Sequence, residues 1–151
     1  MAFSRELPPL TELNRAFWTG GQTGRLQIWR CQACRFWCHP PRPMCSACRS
    51  RDLSPEPVSG NGAVFSFAIN RRAWRPGLSV PYVLALIELA EQPALRFTSN
   101  VVDCDPGDVY IGMPVAVTFI EQDGIYIPVF QAARKESNVQ PAARNSASRR
   151  C

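Results

Sequence analysis

The chain has 151 residues, 46% of them hydrophobic and 19% charged, and a formal net charge of +5. This allows one medium domain or two small ones, too little for a parallel sheet covered by helices on both faces, and no run approaches the roughly 18 apolar residues of a membrane span. The charge excess is local: residues 134–151 hold five basic side chains against Glu136, +4 of the total, so the high isoelectric point does not by itself imply a nucleic-acid face.

Residues 1–20 contain no basic start followed by an apolar core, so no secretory leader is expected and the cytoplasm is the expected compartment. Residues 9–19 place Leu10, Leu13, Phe17 and Trp18 at helical spacing before Gly20-Gly21, which predicts a short amphipathic helix in an N-terminal segment 1–24. Phe17 and Trp18 have two readings: burial against the rest of the chain, or docking to a partner.

Leu26–Arg30 reads as a strand entering a cysteine-rich stretch that spans residues 25–57. Cys31-Gln32-Ala33-Cys34 and Cys45-Ser46-Ala47-Cys48 are two C-x-x-C pairs ten residues apart. Two intervening residues let one tight turn present both sulfurs to the same ion, and two such knuckles complete a tetrahedron. In a reducing compartment that pattern points to a metal rather than to disulfides. Zinc is the expected occupant, and iron stays open as its competitor because rubredoxin-like sites offer the same four thiolates. Four thiolates close the coordination sphere, so the ion would hold the fold rather than activate a substrate. Arg35 and Arg49 stand just after each knuckle, where a positive φ is convenient and glycine is common. Cys38 and His39 lie between the pairs and could compete as ligands, although the two regular pairs already supply four; His39, ahead of Pro40-Pro41, is expected as a neutral, hydrogen-bonded cap of the loop. Arg51–Pro57, rich in Pro, Ser and charge, reads as the linker to the next unit.

From Gly60 the hydrophobic period becomes two. Residues 63–70, 82–89, 95–102, 114–121 and 127–131 are five apolar, β-branched or aromatic runs, with turn signals at Asn61-Gly62, Pro76-Gly77, Glu91-Gln92-Pro93, Asp105-Pro106-Gly107 and Asp123-Gly124. The interval between the third and fourth runs has room for a helical turn at 106–110. Five short strands with such an insertion fit a small Greek-key barrel of the OB type over 58–133. The predicted fold class is therefore mainly β, with a short N-terminal helix, a rubredoxin-like zinc ribbon, a C-terminal five-stranded OB-fold barrel, and a disordered basic tail over 134–151.

No Ser/His/Asp set, phosphate-binding glycine loop or second histidine is present, and Cys104 lies between Asp103 and Asp105, whose carboxylates oppose a thiolate. Asn70-Arg71-Arg72-Ala73-Trp74-Arg75-Pro76-Gly77, between the first two barrel runs, joins three arginines to a tryptophan. It reads as a solvated hairpin tip, as a partner contact, or as a contact to an anionic ligand with a planar group. Phe65, Phe67, Phe97 and Phe119 sit in apolar runs and are expected in the core; a single-stranded nucleic-acid binder, the alternative from another class, would need such rings on a basic groove.

The ordered motifs Phe17-Trp18, Gly24-Arg25-Leu26, Cys31-x-x-Cys34, His39-Pro40-Pro41-Arg42-Pro43, Cys45-x-x-Cys48, Ser59-Gly60-x-Gly62-x-Val64-x-Ser66, Pro81-Tyr82-Val83 and Ile111-Gly112-Met113-Pro114-Val115 resemble the zinc-ribbon and OB-fold family known as domain of unknown function 35. The resemblance spans Leu7 to Ala132, with Arg35 and Arg49 at the knuckle glycines and Gln92-Pro93 in place of an acidic-Gly turn, a change expected to affect only a hairpin. It implies a non-catalytic accessory subunit, with structural zinc on Cys31, Cys34, Cys45 and Cys48, in a hetero-oligomer with a thiolase-like enzyme that acts on acyl-CoA thioesters by acyl transfer, condensation or retro-aldol cleavage, including that of steroid side chains. Phe17, Trp18, Arg71, Arg72, Trp74 and Arg75 are the candidate contacts to that partner or to CoA; no membrane is implied.

Overall fold

Asn14 decides where the N-terminal helix begins. In the computed structural model, which describes residues 5–134, the Asn14 side-chain carbonyl accepts the Thr11 amide at 2.7 Å and its side-chain amide donates to the Pro9 carbonyl at 3.0 Å. These local bonds compete with helix formation over the preceding residues. The helix predicted over 9–19 is accordingly shortened to α1, Arg15–Thr19. Gly20-Gly21 does not stop the chain's winding; it opens a 3₁₀ turn, Gly20–Thr23, that ends at Gly24 with φ +71°. A Cβ on Gly21 would overlap Tyr126 and Phe119, so a bare backbone is needed where this turn presses on the barrel described below. Leu7, Leu10 and Trp18 cover Ile125, Ile127 and Val129, and the Gln122 side chain clamps Arg5, accepting its amide at 2.9 Å and donating to its carbonyl at 2.8 Å.

The cysteine-rich stretch forms a three-stranded antiparallel sheet in the order β2-β1-β3, with β1 Gln27–Cys31, β2 Trp37–Cys38 and β3 Leu53–Pro57. The segment 51–57 expected as a linker is in large part β3. Its prolines are tolerated because β3 is an edge strand with one neighbour, β1. β2, two residues long, is too short to show any period in sequence.

Five strands close the barrel in the order β4-β5-β6-β8-β7: β4 Asn61–Asn70, β5 Tyr82–Leu89, β6 Arg96–Val101, β7 Pro114–Gln122 and β8 Ile125–Ala132. Asn61-Gly62, predicted as a turn, belongs to β4; the bend lies one residue earlier, at Gly60 with φ +80°. Asp123 and Gly124 both take positive φ, as a two-residue hairpin turn matched to strand twist requires, which starts β8 at Ile125 and pairs it with Gln122. The expected helical turn is present as a 3₁₀ turn, Pro106–Asp108, begun by Asp105 Oδ1 accepting the Gly107 amide at 2.7 Å. Closure between β6 and β8 is slight. One parallel pair, Val101 with Phe130, forms the ladder, and the buried Ser99 hydroxyl donates to the Pro128 carbonyl at 2.8 Å across the same seam.

Helix, ribbon and barrel share one core, in which Phe17, Leu26, Ile28 and Trp37 pack with Val64, Ile87, Phe97 and Phe130. Edge-on contacts set Phe17 against Trp18 at 4.9 Å and Phe97 at 5.6 Å. The β5–β6 hairpin is the second fastening. Gln92 Oε1 accepts the Trp37 amide at 2.9 Å and Gln92 Nε2 donates to the Trp37 carbonyl at 3.2 Å, while Glu91 Oε1 accepts the Ser59 amide at 2.6 Å. Gln92 therefore does more than shape a hairpin, as the sequence suggested; it substitutes for a missing strand neighbour of β2. Gln92→Ala would leave both polar groups of a buried residue without these partners, an expected cost of about 1–3 kcal/mol in denaturant-induced unfolding, against about 0.5 kcal/mol or less for the adjacent Pro93→Ala. Gly21→Ala is expected to cost about 1–3 kcal/mol by overpacking against the barrel.

Candidate metal centre and basic loop

Both knuckles have the same backbone. The Arg35 amide donates to the Cys31 carbonyl and the Arg49 amide to the Cys45 carbonyl, each at 3.0 Å, with φ +65° at Arg35 and +64° at Arg49. The positive φ expected there is present without glycine. Cys31 and Cys45 are buried, Cys34 and Cys48 exposed, and the four sulfurs lie within 4.8 Å of one another, with Cys31–Cys48 at 3.6 Å and Cys34–Cys45 at 3.7 Å. Four sulfurs bound 2.3 Å from one tetrahedral ion stand about 3.8 Å apart, so the quartet fits zinc-like coordination with little rearrangement. The backbone amide of Cys48 is the first cause holding the Cys45 thiol down at about 6, whereas Cys34 is driven to about 12: the Phe36 amide favours its charge, but burial and the neighbouring sulfurs together outweigh it. Four thiolates this close need a cation to share.

Arg35 is fixed from β3. Glu56 pairs with Arg35 at 3.0 Å and Arg30 at 3.1 Å, and accepts from Gln32 at 3.2 Å; Gln32 first, then these cations, holds its carboxyl below the ordinary range. Cys38 is buried beside the quartet but outside it, with burial first raising its thiol. Cys104 is raised too, by burial first and by Asp108, Asp105 and Asp103 after it, so the carboxylates foreseen from sequence are the lesser cause. His39 meets one half of the expectation, its neutrality, and departs from the other. Among the described residues its ring has no hydrogen bond; it packs between Phe17 at 5.2 Å and Phe97 at 5.4 Å, and burial lowers its pKa to about 4.

The sequence-selected aromatic and basic residues fall in two places. Phe17 is buried, Trp18 half-buried, and both border a cleft of about 290 Å³ with His39 and Phe97. Arg71, Arg72, Trp74 and Arg75 are exposed on the loop between β4 and β5. Asn70 organises that loop: its Oδ1 accepts the Arg72 amide at 3.1 Å and the Trp74 indole at 3.2 Å, and its side-chain amide meets the Tyr82 hydroxyl. Arg72 lies over the Trp74 ring, which is 66% exposed. Of the barrel phenylalanines, Phe97 is buried and Phe67 and Phe119 pack against the core. Only Phe65, at a bulge in β4, faces out, and Arg96 covers it. No stacking platform results.

One family model, described as the ChsH2 rubredoxin-like zinc ribbon domain, matches residues 18–54, and a second, the ChsH2 C-terminal OB-fold domain, matches 55–119. A DUF35 domain-containing scaffold protein of Methanocaldococcus jannaschii is 39% identical over 99 residues, covering 63% of this chain and 69% of the relative. The chain belongs to the DUF35 family. A probable enoyl-CoA hydratase alpha subunit of Thermomonospora curvata is 38% identical over 133 residues, 85% of this DUF35 chain. A 3-oxo-4,17-pregnadiene-20-carboxyl-CoA hydratase alpha subunit of Mycobacterium tuberculosis is 38% identical over 105 residues, 70% of it. The chain spans only 41% and 33% of those two proteins. A solved structure titled Ltp2-ChsH2(DUF35) aldolase superposes with a TM-score of 0.73 at 36% identity, over 83% of the DUF35 chain and 98% of the other.

Two features escaped the sequence reading. The near-neutral body conceals a segregation, since residues 25–57 carry six arginines against two acids and residues 58–133 four against seven; counting charge per unit would have found it. Arg5, whose cleft is described below, has no sequence signal. The tail expected from 134 lies outside the described residues from 135 onward, as does Cys151. Among the described residues no helix is long and apolar enough to cross a membrane.

His39 gives this region a pH dependence of definite sign. Its folded pKa, about 4, lies below the ordinary 6.5, so protons favour the unfolded chain and stability is lost as pH falls below 6.5. Between pH 7 and 5 the His39 share of the expected loss is about 2 kcal/mol, and His39→Leu should remove that share while leaving the part that belongs to the cysteines. Denaturation curves at the two pH values, superimposed in slope, check this.

Proposed function

We propose that this DUF35 chain is a non-catalytic accessory subunit that binds a thiolase-like enzyme and helps to form its acyl-CoA site, as in aldol cleavage of a steroid side chain or in acyl transfer. The observation that carries the reading is the likeness to the DUF35 chain of an Ltp2-ChsH2 aldolase, at 36% identity over 98% of that chain. The relatives named as hydratase alpha subunits support a CoA-thioester setting. The chemistry of the residues agrees. The four-sulfur site leaves no open position for a substrate, the single histidine is packed between rings, and the thiol of Cys104 is raised.

In this reading Cys31, Cys34, Cys45 and Cys48 hold one zinc ion, which ties the knuckles to β1 and supplies folding energy rather than reactivity. The ribbon and N-terminal segment form the rigid part of the docking surface, with Phe17 holding the helix from inside and Trp18 at its border. Arg71, Arg72, Trp74 and Arg75 reach the partner, or the phosphates of CoA at the interface. Arginines on an exposed loop that also carries an indole suit both.

A tagged chain purified from its own cells is expected to bring down a thiolase-like protein in a complex of fixed mass; a monomer alone would overturn the subunit reading. In the reconstituted complex, Arg71→Ala with Trp74→Ala is expected to weaken assembly or thioester turnover at least tenfold, and unchanged affinity and rate would remove the loop from the interface. Elemental analysis should find one zinc per chain. Cys45→Ser should lose the ion and, with it, about 10 kcal/mol or more of binding energy that supports the fold.

A further inference from the structure

A cleft of about 570 Å³ opens where the loop between β4 and β5 and the N-terminal segment lean over the outer face of β5 and β6. Leu78, Tyr82, Leu84, Val101 and Val102 give it an apolar wall, and Trp74 stands beside them. Leu84 is 46% exposed on this face. Three charges border it. Arg75 is engaged with Glu6 at 3.1 Å in a well-exposed pair, which leaves Arg5. The Arg5 backbone is held by Gln122, but no carboxylate meets its guanidinium among the described residues. Burial lowers its pKa from the ordinary value, and only the Tyr82 hydroxyl works the other way. Asn100, also at the wall, spends its side-chain amide on the Val83 carbonyl at 2.8 Å.

A half-buried cation that meets no carboxylate among the described residues, beside apolar side chains, is costly unless an anion joins it, and the lining carries a net charge of one. The volume lies within the range of small-molecule sites, about 300–1,000 Å³. We propose that this cleft binds an amphipathic carboxylate, an apolar body of steroid or fatty-acid size whose single carboxylate pairs with Arg5 while its body covers Leu84, Val102 and Tyr82. A phosphate dianion fits less well, since the second cation it would need is already engaged by Glu6. Guanidinium and carboxylate match in a two-bond fork, which a neutral head group cannot reproduce. The inference concerns a small molecule on the free chain; it shares Trp74 and Arg75 with the loop assigned to the partner, but it rests on Arg5 and the apolar wall and is tested on the chain alone.

The test is a calorimetric titration of the full chain with cholate and with the alcohol made by reducing its carboxyl group. Saturable one-to-one binding is expected, with the acid at least tenfold tighter than the alcohol. Arg5→Met should lower the acid's affinity at least tenfold and leave the alcohol's unchanged, and Leu84→Glu should abolish both, with melting temperatures confirming that each variant is folded. Equal affinity of acid and alcohol for the natural chain, a comparison that needs no variant, would overturn the proposal. So would the absence of saturation by cholate and by laurate up to about 1 mM, or an Arg5→Met variant that binds the acid as the natural chain does.

Discussion

A ribbon of some thirty residues cannot bury enough apolar surface to fold by itself. The constraint on this molecule is that helix, ribbon and barrel must share one interior. Phe17 and Trp37 are the residues through which they do so. Phe17 packs on both His39 and Phe97, and Trp37 is held through both backbone polar groups by the Gln92 side chain. Once the three parts are fastened there, the orientation of the cysteine quartet relative to the barrel is fixed, and with it every surface the chain presents to another molecule.

The division between metal and interior has a chemical logic. The quartet orders the knuckles, where there is little hydrophobic material to do so, and its buried pair, Cys31 and Cys45, carries that order inward toward Trp29, Phe36 and Leu53. Glu56 extends it across the sheet by engaging Arg30 and Arg35 together. Arg35, like Arg49, occupies a left-handed backbone conformation that favours glycine, closed by its amide donating back to the first cysteine of its knuckle.

How much of this could be read from residues alone depended on whether the signal was local. The C-x-x-C pairs, the positive φ after each and the Asp123-Gly124 hairpin are dictated by a few adjacent residues, and all are found where the sequence puts them. The five barrel strands follow from alternation, with ends displaced by one or two residues where a bulge or bend intervenes. The misses are of another kind. Asn14 cuts the helix short through side-chain bonds that apolar spacing does not register. β3 looks like a linker because its prolines and charges suit an edge that only β1 covers. Gln92 looks like a turn residue, yet its partner is 55 positions away in sequence. His39, ahead of Pro40-Pro41, reads as a hydrogen-bonded cap of its loop, where the fold supplies aromatic rings.

The join between β6 and β8 has a dynamic consequence. A ladder reduced to Val101 with Phe130, continued by the Val102 amide on the Phe130 carbonyl at 2.7 Å, is the place where the cylinder can most readily breathe. Amides bordering it should trade their hydrogens with solvent sooner than those of the long β4–β5 ladder. Val101 and Val102 also form part of the wall of the larger cleft, so whatever settles there leans on the least firmly knitted line of the barrel. Occupancy at the surface and cohesion of the cylinder are in this way one mechanical problem.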